Sequence, residues 1–156
     1  MTKSFLVSIG LLIIACVVIF LFIKHKPMKK STDKIVSLSI DDTLLKKYKD
    51  TAQSQLDYLI KFMSEHDKDD TLFRYAVKSN FQEEGQNEHM WTQVDEFKND
   101  YFIGRLANEP STIKQIKYGD AVKVYRLDVE DWILQDFLTN TEVGGFSRKY
   151  MRSKKK

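Results

Sequence analysis

"TLFRYAVKS", residues 71–79, is where the hydrophobic period of this chain changes. Phe73, Tyr75 and Val77 alternate with Arg74, Ala76 and Lys78, the period-two pattern of a half-buried strand. Upstream the period is helical. Leu44, Tyr48, Ala52, Leu56, Leu59, Ile60 and Met63 recur at three- and four-residue steps, which predicts one amphipathic helix from about Asp42 to His66, with Asp41 or Asp42 as its N-cap. That stripe reads as the domain's own core contact; a coiled-coil seam to a partner is the alternative. "EHDKDD" then reads as a solvated loop.

Downstream the period stays at two. A polar turn in "EEGQNE" is followed by strands in "HMWTQV" and "YFIGRLA" around a turn near Asn99-Asp100. "NEPST" and "KYGD" read as loop and turn, with Gly119 free to take a positive φ. "AVKVYRL" is the next strand, and a last one lies within "WILQDFL". The expected fold is α+β: an N-terminal transmembrane helix, then one amphipathic helix packed on a small, mostly antiparallel sheet, with the domain over residues 37–152.

The transmembrane reading comes from "FLVSIGLLIIACVVIFLFI", residues 5–23, which carries no charge. As a helix it would extend about 28 Å at roughly 1.5 Å per residue, close to the roughly 30 Å of a bilayer core. A cleaved signal peptide usually has a shorter apolar core and a small-residue cleavage site. A lipoprotein signal would make Cys16 the lipidated residue, yet apolar residues continue to Ile23 beyond it. An uncleaved single-pass anchor in a bacterial membrane is therefore expected. Lys24, Lys26, Lys29 and Lys30 follow the span in a basic linker, residues 24–36, against Lys3 before it. Cytoplasmic flanks carry the excess of Lys and Arg, so the charge balance puts the domain in the cytoplasm, with a periplasmic domain as the alternative.

The formal net charge of +3 hides an uneven distribution. Residues 24–34 carry +4 and residues 148–156 carry +6, while the body between them, residues 35–147, carries −8. The first basic arm lies where anionic headgroups attract each Lys or Arg by about 1 kcal/mol. The C-terminal "RKYMRSKKK", which ends in the basic tail 153–156, reads as a solvated end, with contact to the same headgroups as the alternative. An acidic body repels phosphate, which counts against nucleic acid as a partner. Membrane lipid, through the N-terminal helix, and a protein are the partners expected. One cysteine excludes an internal disulfide.

The series "EHMWTQV", "GRLANEP", "IKYGDAVKV", "DVEDW" and "GGFSRKY", in that order and spacing, resembles the YegJ-like family, the bacterial domain of unknown function 2314. The resemblance covers about residues 70–152. Its most specific parts are the Asp131-Trp132 pair and Gly144-Gly145-Phe146-Ser147 followed by a basic residue. It implies a small α+β domain and carries no assigned activity.

Most familiar chemistries have no footing here. Gly144-Gly145 lacks the surrounding pattern of a phosphate-binding loop and reads as a tight turn or a close backbone approach. His25, His66 and His89 do not converge on a metal-ligand motif, and no serine occupies a nucleophile elbow; Ser147 follows Phe146 in a strand-like context. Neither a cofactor nor a metal is expected. What remains is Asp128, Glu130 and Asp131, just before Trp132. In an extended chain Asp128 and Glu130 would face one side and Asp131 the other. If the chain turns instead, Asp128 caps a helical turn over Trp132 as an apolar plug. The competing account makes Asp128 or Glu130 a general base, with Arg105 or Arg148 steadying an anionic substrate. Trp132, Arg105 and Arg148 are the candidate binding residues. A binding or protein-interaction module is the expected role; a hydrolase using the acidic cluster, and an immunity-type or accessory protein that neutralises a partner, are the alternatives.

Overall fold

The computed structural model describes residues 42–66 and 70–153, all within the compact unit Ser31–Lys156. The expected anchor at 5–23, the linker with Lys24, Lys26, Lys29 and Lys30, the capping side chains Asp41 and Asp42, and the end of the basic tail lie outside the described residues. No described helix is long and apolar enough to cross a membrane.

Helices α1 (Asp42–Ser54) and α2 (Leu56–Glu65) replace the single helix expected from the stripe. Gln55 separates them at φ −112°, ψ 5°. The indole Nε1 of Trp132 donates to the Ala52 carbonyl at 3.0 Å, and Gln55 N–H reaches the same oxygen at 3.3 Å. Ser54 Oγ also bonds back to Thr51 O at 2.8 Å, competing with the helical ladder. The stripe itself is buried as expected: Ala52, Leu56 and Leu59 are fully covered.

Six strands follow, β1 (Phe73–Glu83), β2 (Gln86–Lys98), β3 (Tyr101–Leu106), β4 (Ala121–Tyr125), β5 (Val129–Asp136) and β6 (Thr141–Gly144). They form one sheet in the order β4-β3-β2-β1-β5-β6, every neighbour antiparallel. Two tight hairpins set the register: Glu84 and Gly85, then Asn99 and Asp100, all take positive φ, the type I′ geometry that matches strand twist. Gly119 also takes the positive φ expected of it, 87°. Helix α3 (Phe146–Ser153) closes the described chain, where the sequence suggested a strand-like segment and a tail.

Phe73, Tyr75 and Val77 face the helices, joined by Val94, Phe102, Val124, Val129, Trp132 and Leu134 in one core around Leu56 and Leu59. Farther along the same inner face, Met90, Leu106 and Ile113 form a second cluster, flanked by Phe81, Ile116 and Val122. Among the described residues no helix covers it; the β3–β4 loop does. Only the 3-10 turn Arg126–Asp128 connects β4 to β5, although three strands lie between them. In a flat sheet they would stand about 19 Å apart at roughly 4.8 Å per strand, but four residue steps reach at most about 14 Å. The sheet must therefore coil around the helices. Gln53 Nε2 ties that turn to α1, donating to Arg126 O at 2.9 Å and Val129 O at 2.7 Å.

Candidate functional site

Asp131 is wholly buried, placed on β5 just beyond the last rung of the β5–β6 ladder, Ile133 opposite Gly144. There the chain turns through Gly144 and Gly145, at φ 79° and 65°, and brings the first amides of α3 onto the Asp131 carboxylate. Phe146 N–H donates to Oδ1 at 3.0 Å, Ser147 N–H to Oδ2 at 2.9 Å, and Ser147 Oγ to Oδ2 at 2.6 Å. The Trp132 amide adds a bond to Oδ1 at 2.8 Å. A carboxylate so placed satisfies orphan helix amides and complements the helix dipole. The capping residue is thus Asp131, acting on a helix that starts fifteen positions later in the chain, and not Asp128 acting on its own turn.

Trp132 is fully buried, with its ring edge-on to Phe146 at 5.7 Å between centroids. Gly145 N–H donates to Trp132 O at 2.7 Å, and a Cβ on Gly144 would stand 2.2 Å from that same oxygen. Gly144-Gly145 is therefore a turn and a close backbone approach together. The Asp-Trp and Gly-Gly-Phe-Ser segments are two halves of one internal joint.

The other two carboxylates lie elsewhere. β5 shifts register against β1 between Lys78 and Ser79, so that Glu130 is the extra residue of a bulge. Its Oε2 meets His89 Nδ1 at 2.6 Å. Asp128 is exposed and has no hydrogen-bond partner among the described residues. Arg105 sits on β3 and donates to Gly119 O at 3.3 Å. Arg148 pairs with Glu142 of β6 at 3.1 Å. The structure brings neither arginine to Asp128 or Glu130, and leaves Trp132 no surface for a ligand. The His89–Glu130 pair orients an imidazole, an arrangement used in proton transfer. No group of three His, Cys, Asp or Glu able to hold a metal ion occurs among the described residues.

A further polar constellation holds the β3–β4 loop. The Glu88 carboxylate accepts the backbone amides of Ser111 at 2.8 Å, Thr112 at 2.9 Å and Ile113 at 3.2 Å, and the Ser111 hydroxyl at 3.0 Å. Glu83 takes the amides of Lys114 and Gln115. Burial pushes the Glu88 carboxyl up, but the three backbone bonds and the hydroxyl outweigh it, and its pKa ends below the ordinary value. Asn108 Oδ1 accepts Trp91 N–H at 2.6 Å at the start of the same loop. Composition did not reveal this clasp. The available signal was positional: Glu83 and Glu88 occupy the strand register of the inward-facing Phe81, where a carboxylate needs a donor.

The outer face of the sheet carries no helix among the described residues. Register places Arg74 and Lys78 of β1, Trp91 and Gln93 of β2, Arg105 of β3 and Lys123 of β4 on it. Trp91 lies directly opposite Lys78 and is only half-buried. At the β2–β3–β4 corner this face sinks into an open depression lined by Glu96, Lys98, Asn99, Tyr101, Ile103 and Lys123. Arg74, Lys78, Arg105 and Lys123 share this face with Asp131, which lies opposite Lys78 and is taken up by the joint, and with Glu96 of the depression, in a body whose net charge is −8 over residues 35–147.

Comparison with known proteins agrees with the motifs. Residues 41–155 match the family described as "Uncharacterized protein conserved in bacteria (DUF2314)". The chain is also similar to "Uncharacterized protein YegJ" of Escherichia coli (strain K12), 26% identical over 113 residues, which cover 72% of this chain and 71% of that protein. No solved structure gives a significant match. A match across the whole α+β domain, including both halves of the internal joint, establishes the relationship: this chain belongs to the DUF2314 family of bacterial proteins.

Proposed function

We propose that this chain is a membrane-tethered protein-interaction module that offers the outer face of its sheet to a partner. The observation that carries the reading is the division of labour among the charged groups. Asp131 is consumed by a helix cap and Glu88 by a loop clasp, while Trp91, Lys78 and Arg105 stand together on a face with no covering helix among the described residues. Half-buried aromatics beside cations are characteristic of contact surfaces. The uncharged run at residues 5–23 and the lysines after it supply the tether, with the domain on the cytoplasmic side.

Two experiments test the two parts. A photocrosslinking residue at position 91 should give a discrete adduct in intact cells, and the same residue at the exposed helix position 47 should not. Equal labelling at both, or none at 91, contradicts the surface assignment. A reporter active only in the cytoplasm, fused after Lys156, should be on; a periplasm-only reporter that lights up overturns the orientation.

A further inference from the structure

The binding-module reading names a face but no ligand chemistry. Strand β4 is the edge of the sheet, and its hydrogen bonds show which groups remain for a partner. Leu106 N–H donates to Asp120 O and Arg126 N–H to Asp100 O, both at 2.9 Å. Residues in phase with 120 and 126 therefore bond inward to β3, and the alternate ones, Ala121, Lys123 and Tyr125, direct their N–H and C=O groups outward. All three are exposed, and none of these outward groups has a hydrogen-bond partner among the described residues. An unpaired strand edge is a template for another strand.

The side chains beside that edge define what kind of strand. Lys123 projects from β4 into the corner depression, where Lys98, Tyr101 and Ile103 complete a wall with two cations, one aromatic and one aliphatic group. Neither Lys98 nor Lys123 makes an ion pair or a side-chain hydrogen bond among the described residues, and Glu96 is the single carboxylate present. Tyr101 and Tyr125 pair across the ladder with centroids 5.3 Å apart, forming a low aromatic ledge next to it. A second copy of this chain is a poor occupant. Antiparallel pairing of two β4 edges brings their central lysines together, and like charges directly opposite are destabilising.

We infer that β4 receives an extended acidic segment of a partner protein, which adds as a seventh strand and seats a carboxylate side chain between Lys98 and Lys123. The inference rests on the binding-module reading and specifies its ligand. Backbone bonds to Ala121, Lys123 and Tyr125 supply affinity that is blind to sequence; the two lysines select for acid, and the tyrosines and Ile103 accept the apolar residues that alternate with it.

The test uses the full-length chain in detergent micelles and two synthetic peptides, acetyl-Val-Asp-Val-Asp-Val-Asp-amide and its lysine counterpart. The acidic peptide should bind saturably and slow amide exchange at residues 121, 123 and 125; the lysine peptide should not. The double variant Lys98→Glu, Lys123→Glu should weaken binding at least tenfold. Ala121→Pro removes one outward donor while leaving every bond to β3 in place, so it should weaken binding with the melting temperature unchanged. Absence of saturable binding, equal binding of both peptides, or indifference to Ala121→Pro overturns the inference. Should Ala121→Pro impair folding, the exchange pattern of the unaltered chain decides alone: protection elsewhere than at 121, 123 and 125 refutes the edge. A crosslink at position 91 alongside a failure of the acidic peptide would discard this ligand and leave the binding-module reading standing.

Discussion

The inner face of the sheet is covered in two ways. Over the Trp132 end lie α1, α2 and α3, bringing Ala52, Leu56, Leu59 and Phe146 against β-strand side chains. Over the Met90 end lies the β3–β4 loop, which adds only Ile113 and Ile116 to the apolar contact and is held down by Glu83 and Glu88. One half rests on burial, which is insensitive to pH; the other rests on two glutamates that accept five successive amides, and the bonds to Glu88 hold its pKa below the ordinary value. The same chain thus builds a permanent lid and a titratable one on a single surface.

Substitutions in the two halves should separate accordingly. Trp132→Ala is expected to have the largest effect, about 3–5 kcal/mol of stability, because a fully buried aromatic is lost together with its bond to Ala52. Gly144→Ala follows at about 2–4 kcal/mol, since the added methyl meets Trp132 O and the positive φ is strained for alanine. Denaturant titrations of both variants measure these losses directly.

The loop half answers to pH. The Glu88 pKa is depressed in the folded protein, so its contribution is present above the unfolded carboxylate pKa and is lost as pH falls through the lower folded value. Exchange protection at Ser111, Thr112 and Ile113, taken relative to the intrinsic rate at each pH, should fall on acidification ahead of protection in β5. Glu88→Gln should cost about 1–2 kcal/mol near neutrality and remove that acid sensitivity. Acid exchange at 111–113 that is unaltered by Glu88→Gln would erase the distinction between the halves. Asp128→Asn is the smallest change: with no partner to lose, it should leave stability within about 0.5 kcal/mol.

How far the sequence disclosed these features follows from the range of the interactions. Strand alternation in β1 and the helical stripe are local patterns, and both hold. The two I′ turns announce themselves through Gly85 and through Asn99-Asp100. The break at Gln55 escaped because it is stabilised by an indole eighty residues away in sequence. Helix α3 escaped because its cap is Asp131 rather than a neighbouring Ser or Asp, so no local N-terminal signature precedes Phe146. In the candidate site, the motifs draw attention to Asp131 and Trp132, but the structural roles of both depend on a turn that only the folded chain brings to them. His89–Glu130 joins side chains across strands, and the Glu83/Glu88 clasp joins carboxylates to the amides of a distant loop, where no spacing rule links them.

The claim that orders the rest is that Asp131 is a structural cap rather than an acid held for chemistry. Thermal melting of Asp131→Asn against the unaltered full-length chain tests it most directly. Removing the charge that three backbone amides and a hydroxyl converge on should lower stability by about 1–3 kcal/mol, with loss of exchange protection beginning in α3. An unchanged or raised melting temperature, with α3 still protected, would mean that the carboxylate strains the fold, as an acid held among other acids for catalysis does, and would contradict the account.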